Sequence, residues 1–308
     1  VTLHRTRLYH HPVELSRRAY AKVNLCLSVG PPVPTERGIM HPIASWMHAI
    51  DLYDTVTLTW LGEHHPQRFE VVWAADAPRQ SSIDWPAERD LGFRALRLME
   101  QAVGRSLPVS IRIEKRIPVG GGLGGGSSDA AAVMMGLREV LSLRLTDRQL
   151  REMSGALGSD VAFFIDEAPP APALVTGMGE GIERVGRDWA GREVVLVLPA
   201  FGCATGPVYK MYDQLGARTL RGVKPFSEAL FNDLLPAAEA VQPALGPLRA
   251  AVERMGGGES GGVYMSGSGS TLFLLSKGNG GAAGDVGEVA DKIEREVSDI
   301  RVVRTRLV

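Results

Sequence analysis

Between residues 109 and 114 apolar and polar side chains alternate: Val109, Ile111 and Ile113 against Ser110, Arg112 and Glu114. This is the period-two pattern of a strand with one buried face. Similar runs predict strands over 19–29, 45–60, 68–74, 194–199, 271–275 and 301–308. A helical period over 91–103 places Ala95, Leu98, Met99 and Ala102 on one face. Residues 129–141 are rich in good helix formers, including Ala130, Ala131, Ala132, Met134, Met135 and Leu137, with Ser127 or Ser128 available as cap. Thr146 can cap a helix running to Leu157, Gly158 is a natural stop, and further helix is predicted within 226–255. Strands and helices interleave without an internal repeat, so the chain is mixed α and β. Prolines 169, 170 and 172 interrupt regular structure and mark a change of domain, giving expected domains over 1–175 and 176–308. Residues 1–18 carry three histidines and four arginines without clear periodicity and read as an arm or edge strand. The glycine-rich stretches 256–262 and 278–284 read as surface loops.

The segment between the strand at 109 and the helix at 129 carries the chemistry. It runs Pro118, Val119, Gly120, Gly121, Gly122, Leu123, Gly124, Gly125, Gly126, Ser127, Ser128, with six glycines and two serines. A glycine loop entering a helix offers unpaired backbone N–H groups, no obstructing side chains and the positive end of the helix dipole. Such a loop seats phosphate. The stretch formally matches G-x-G-x-x-G, but no acidic residue closes a following strand about twenty residues on, as a dinucleotide fold requires. A Walker A loop needs Gly-Lys-Ser/Thr, and no lysine follows Gly126. A flexible linker would not be fenced by a patterned strand and a patterned helix.

Composition narrows the classes without choosing one. The 308 residues suffice for two domains, each with a core. A net charge of −1 with interspersed signs implies no binding to nucleic acid or to a membrane surface. The two cysteines, Cys26 and Cys203, sit in apolar strand-like contexts and read as buried thiols, which points to a reducing cytoplasm. No signal-peptide pattern opens the sequence, and the longest apolar stretches, such as 194–204, are too short to span a bilayer.

The segment from Pro118 to Ser128, followed by Asp129-Ala-Ala-Ala132, resembles the second signature of the GHMP kinases. Within them it is most similar to the branch that phosphorylates a cytidine diphosphate-linked methylerythritol. The run 19–27, Ala-Tyr-Ala-Lys-Val-Asn-Leu-Cys-Leu, is similar to that family's N-terminal A-K-x-N-L-x-L strand. The stretch 265–271 resembles its third glycine motif, and 158–164, Gly-Ser-Asp-Val-Ala-Phe-Phe, resembles the segment holding its catalytic aspartate. The resemblance implies an α+β fold of two domains, the first like ribosomal protein S5 domain 2 and the second ferredoxin-like, with the active site between them. It implies ATP held by residues 118–128 and phosphoryl transfer to the 2-hydroxyl of the methylerythritol compound, a step of non-mevalonate isoprenoid synthesis. Asp160 is then the proton acceptor and Lys22 its cationic neighbour. By alternation Lys22 and Asn24 share a face opposite Ala21, Val23 and Leu25.

The substrate side departs from the family pattern. Where the family has D-G-Y-H, this chain reads Glu36-Arg-Gly-Ile-Met-His41, so His41 matches the histidine that bonds to cytosine while Met40 replaces the stacking tyrosine. Phe201 matches a second aromatic wall, and Asn24 is a further candidate for substrate binding. The family's D-N-L before the helix is altered to Arg89-Asp90-Leu91, on the adenine side. No protein-built metal site is expected: His10-His11 and His64-His65 are adjacent pairs with no ligands at completing spacing. Mg²⁺ is expected to arrive on ATP. A small-molecule substrate and a monomer or weak homodimer are expected. The missing tyrosine keeps open a GHMP kinase for another small alcohol, and a nucleotide-binding homologue without catalysis is the non-enzyme alternative.

Overall fold

The protein is described here by a computed structural model covering residues 14–308 apart from 37, 63–64, 217–218, 258–261 and 277–284. Residues 1–13, His64 and the loop read at 278–284 lie outside the described residues.

Among the described residues thirteen strands and eight α-helices alternate along the chain. The first half holds β1 (Glu14–Val29), β2 (Val33–Thr35), β3 (Gly38–Met40), β4 (Ile43–Trp60), β5 (Arg68–Trp73), α1 (Leu91–Val103), β6 (Val109–Lys115), α2 (Gly125–Val140), α3 (Asp147–Ser154) and α4 (Val161–Phe164). Then follow β7 (Ala173–Gly177), β8 (Gly181–Arg184), β9 (Glu193–Pro199), α5 (Thr205–Gln214), β10 (Phe231–Asn232), α6 (Leu235–Val241), α7 (Leu245–Val252), β11 (Tyr264–Met265), β12 (Leu272–Leu275), α8 (Asp285–Glu296) and β13 (Ile300–Arg306). A seven-stranded sheet runs β10-β1-β4-β6-β5 with β7 joined to β4 and β8 to β7, and a four-stranded antiparallel sheet runs β11-β12-β9-β13. This is the α+β class read from the sequence. The division expected after residue 175 falls inside β7, which pairs with β4 of the first sheet. The chain changes sheets between β8 and β9.

The long strand β1 is the element on which the site depends. Its register against β4 breaks between Tyr20 and Ala21 and again between Asn24 and Cys26. Such irregularities re-aim side chains. Ala19, Leu27 and Val29, outside the breaks, join the core under the helices. Ala21, Val23 and Leu25, between them, pack with Val194, Leu196, Leu198 and Phe273 of the second sheet. The alternate residues of that middle segment, Lys22 and Asn24, turn to the other side and are buried without belonging to either apolar cluster.

The buried face of α1 is Gly92, Ala95, Leu96 and Met99; Ala102 is exposed. Gly104, in the left-handed region, closes the helix before its last turn can reach the sheet. Thr146 does cap α3, through a reciprocal pair with Gln149, but the regular helix ends at Ser154.

Candidate active site

A cavity of about 940 Å³ opens on the face of the first sheet that Lys22 and Asn24 occupy, and the glycine loop forms one long wall of it. Residues 118–127 all line it; Ser128 is buried in α2 and does not. The helix begins at Gly125 with Gly124 as its cap residue, in the left-handed region at φ 73°, and no side chain caps it. The serines therefore sit in the first turn instead of capping it, because the loop's left-handed steps start the helix earlier. The first-turn amides keep their donors for a ligand.

Hydrogen bonds fix which way the loop's peptides face. The carbonyl of Gly121 accepts from Thr271 N (3.2 Å) and that of Leu123 from Lys22 N (2.9 Å). The carbonyl of Gly122 accepts from Lys22 Nζ (2.9 Å) and Ser266 Oγ (2.9 Å). In a planar trans peptide, C=O and N–H point opposite ways. Anchoring these three carbonyls to β1 and to the turn before β12 thus turns the N–H groups of Gly122, Leu123 and Gly124 the other way, toward the cavity. Glycine is required at 122 on two counts: φ is +75°, and a Cβ would lie 2.1 Å from Ser266 O. The turn 266–271, the third glycine motif of the sequence, is therefore the loop's foundation, held in turn by Asn232 Nδ2 donating to Met265 O and Gly267 O (both 2.8 Å).

Lys22 and Asp160 come together across this wall, with Nζ 3.4 Å from Oδ2. Lys22 is held by Asn24 Oδ1 at 2.6 Å as well as by the loop carbonyl. Asn24 lines the cavity, but its amide is spent on Lys22 and on Ser45 Oγ (2.8 Å), which makes it a holder of the lysine in this arrangement. Asp160 precedes the short helix α4 without capping it, so its carboxylate remains turned to the cavity. Behind it the turn of the β7–β8 hairpin closes in: a Cβ on Gly179, at φ +107°, would meet Ser159 O at 2.1 Å.

The far end of the cavity is built from β3 and α5. Met40, His41, Tyr209 and Asp213 line it. His41 Nε2 lies 2.8 Å from Asp213 Oδ1, and its ring packs on Tyr209 at 5.0 Å between centroids. Burial pushes the Tyr209 phenol up, and the charge of Asp160 adds to it, so the hydroxyl stays protonated. Phe201 does not line the cavity: it packs against the core, and its carbonyl accepts from Ser270 Oγ at 2.6 Å. The aromatic side chain that does line this end is Tyr209, which escaped the sequence reading because only the turn into α5 brings it round. Cys26 and Cys203 are buried free thiols, both pushed up by burial.

At the other end of the loop Lys115 is enclosed by two carboxylates, bonding to Asp54 Oδ2 and to Asp129 Oδ2 (2.6 Å). Burial opposes the lysine's charge, but Asp129 and Asp54 outweigh it and hold the ammonium above the usual range. Asp54 also accepts from the backbone of Arg116 and Ile117. Of the two carboxyls Asp129 is the one that favours its neutral form: its Oδ1 has no partner among the described residues, and burial, opposed by Lys115 and reinforced by Asp54, pushes it well up.

Comparison with known proteins agrees with this geometry. The GHMP kinases N terminal domain family matches residues 90–167. The 4-diphosphocytidyl-2-C-methyl-D-erythritol kinase of Bacillus cereus strain AH187 is 33% identical over 280 residues, covering 85% of this chain and 88% of that protein. A crystal structure of 4-(cytidine 5'-diphospho)-2C-methyl-D-erythritol kinase superposes with a TM-score of 0.70 at 28% identity, covering 95% of this chain and 99% of that one. Mevalonate kinase of Methanococcus jannaschii shares the fold, with a TM-score of 0.61 at 12% identity over 98% of this chain and 100% of that one. The chain belongs to the GHMP kinases and, within them, to the 4-diphosphocytidyl-2-C-methyl-D-erythritol kinase family.

Proposed function

We infer that the protein transfers the γ-phosphoryl group of ATP to the 2-hydroxyl of 4-diphosphocytidyl-2-C-methyl-D-erythritol. Beyond the family relation, one observation supports this most: Asp160 and Lys22 stand beside a loop with three successive carbonyls tied back, leaving the amides of those peptides for phosphate. The loop amides and the α2 N-terminus bind the triphosphate and offset the charge that spreads over the moving group. Lys22 holds Asp160 in place through the ion pair at 3.4 Å. The Asp160 carboxylate takes the proton of the attacking hydroxyl as its oxygen bonds to the γ-phosphorus and the bond to the β-phosphate oxygen breaks, releasing ADP. Mg²⁺, entering on the ATP phosphates with few protein ligands, supplies further positive charge there when bound. His41 takes the edge of the cytosine, and Tyr209 with the Met40 thioether supplies its apolar contact.

We place this activity in the cytoplasm, in a two-domain chain that is a monomer or weak homodimer. Among the described residues no helix is long and apolar enough to cross a membrane. The test is direct: purified protein, Mg-ATP and the cytidine-linked alcohol, with the product identified by mass. One added phosphoryl group on the methylerythritol moiety is expected. Phosphorylation of homoserine or mevalonate, with none of the cytidine compound, would overturn the assignment.

A further inference from the structure

Asp213 is one helical turn beyond Tyr209 on α5 and meets His41, Oδ1 to Nε2 at 2.8 Å. A carboxylate can only accept a hydrogen bond, so Nε2 carries the ring proton. In the imidazole tautomer with its proton on Nε2, Nδ1 has a bare lone pair. The His41 side chain is only 6% exposed, and Tyr209 and Tyr212 pack against its ring, so it cannot swing away to another arrangement. Among the described residues Nδ1 has no hydrogen-bond partner. His41 lines the cavity, so this nitrogen is the one left for a ligand.

We propose that Asp213 is a specificity-determining positioning residue: by fixing the proton on Nε2 it makes His41 an acceptor, and so selects a pyrimidine with an exocyclic amine over one with a carbonyl at the same place. The inference rests on the reading that the substrate carries a cytidine diphosphate. Cytosine presents an amine at position 4 and satisfies the lone pair. Uracil presents an oxygen there, and two buried acceptors then face each other unpaired, the situation in which polar sites discriminate most strongly. Tyr209 and Met40 meet either ring equally through its face, so discrimination falls to the histidine and to the residue that sets its tautomer.

The test compares cytidine- and uridine-linked methylerythritol diphosphates as substrates of the wild-type protein and of Asp213→Leu. Asp213 is about one-third exposed on the helix surface, and the variant is expected to fold. With the carboxylate gone the proton distributes over both ring nitrogens, and the preference for the cytidine compound should fall about tenfold or more. The change should appear in KM for the pyrimidine substrate, with KM for ATP unaltered. In the wild type, ¹⁵N shifts of His41 should report a protonated Nε2 and a bare Nδ1; in the variant they should report a mixture. An undiminished cytidine preference in the variant, or a proton on Nδ1 in the wild type, overturns the proposal. If the wild-type protein instead ignores the cytidine compound and phosphorylates another alcohol, it is the functional assignment that fails, while the ¹⁵N measurement still decides the tautomer.

Discussion

Lys22 and Lys115 are both buried lysines, 2% and 4% exposed, both on strands of the same sheet and both paired with aspartate. They do different work. Lys115 has two enclosed carboxylates, and one of these is further tied to backbone amides, so its charge is more than matched within the cluster. Lys22 has one carboxylate at 3.4 Å, itself 28% side-chain exposed, and otherwise only neutral oxygens. A charge whose partners saturate it holds the fold together. A charge with a single, cavity-facing partner is available to chemistry. His48 extends the series: wholly buried with no counter-charge, it stays neutral, burial pushing it down to about 4.

The comparison can be broken at each of its members. Lys115→Met leaves two buried carboxylates without their cation and should cost about 3–5 kcal/mol in denaturant unfolding; a loss below about 1 kcal/mol would mean the cluster is not structural. For His48 the folded value lies below the unfolded one, so its contribution is complete above about pH 6.5 and disappears as the pH falls toward 4. That loss amounts to about 3 kcal/mol. Unfolding curves between pH 7 and 4 should show it, and His48→Gln should flatten the decline. Lys22→Ala and Asp160→Asn should each lower kcat at least about a hundredfold, equivalent to about 2.7 kcal/mol of barrier. Both should unfold at higher denaturant than Lys115→Met, since Asp160 keeps its water. If instead Lys22→Ala proves the less stable of the two lysine variants, the distinction drawn from saturation is wrong.

Much of the site was legible in the residues. The loop, Lys22, Asp160 and His41 are all brought to one cavity, because each sits in a short motif whose local geometry is dictated by its own sequence. Phe201 was misread because it lies in an irregular connection, where no period says which way a side chain points. Tyr209 and Asp213 needed the path of α5 over β3, a tertiary fact. The Lys115 cluster was legible and unread. Alternation places Lys115 on the same face as Val109, Ile111 and Ile113, and Asp54 on the face of Leu52, Val56 and Leu58. Opposite charges on the buried faces of strands that pair announce an internal ion pair. The start of α2 was misplaced because serine's capping preference gave way to a backbone route that only glycine can follow.

The Gly179 contact has a consequence for how the reactive carboxylate tolerates its surroundings. The Lys22–Asp160 attraction weakens as salt rises, but the abutment of the hairpin turn on Ser159 is one main chain pressed on another, indifferent to ionic strength and to acid. Retreat of Asp160 toward the hairpin is thereby blocked by steric contact, and whatever slack the aspartate retains is directed into the cavity that it lines.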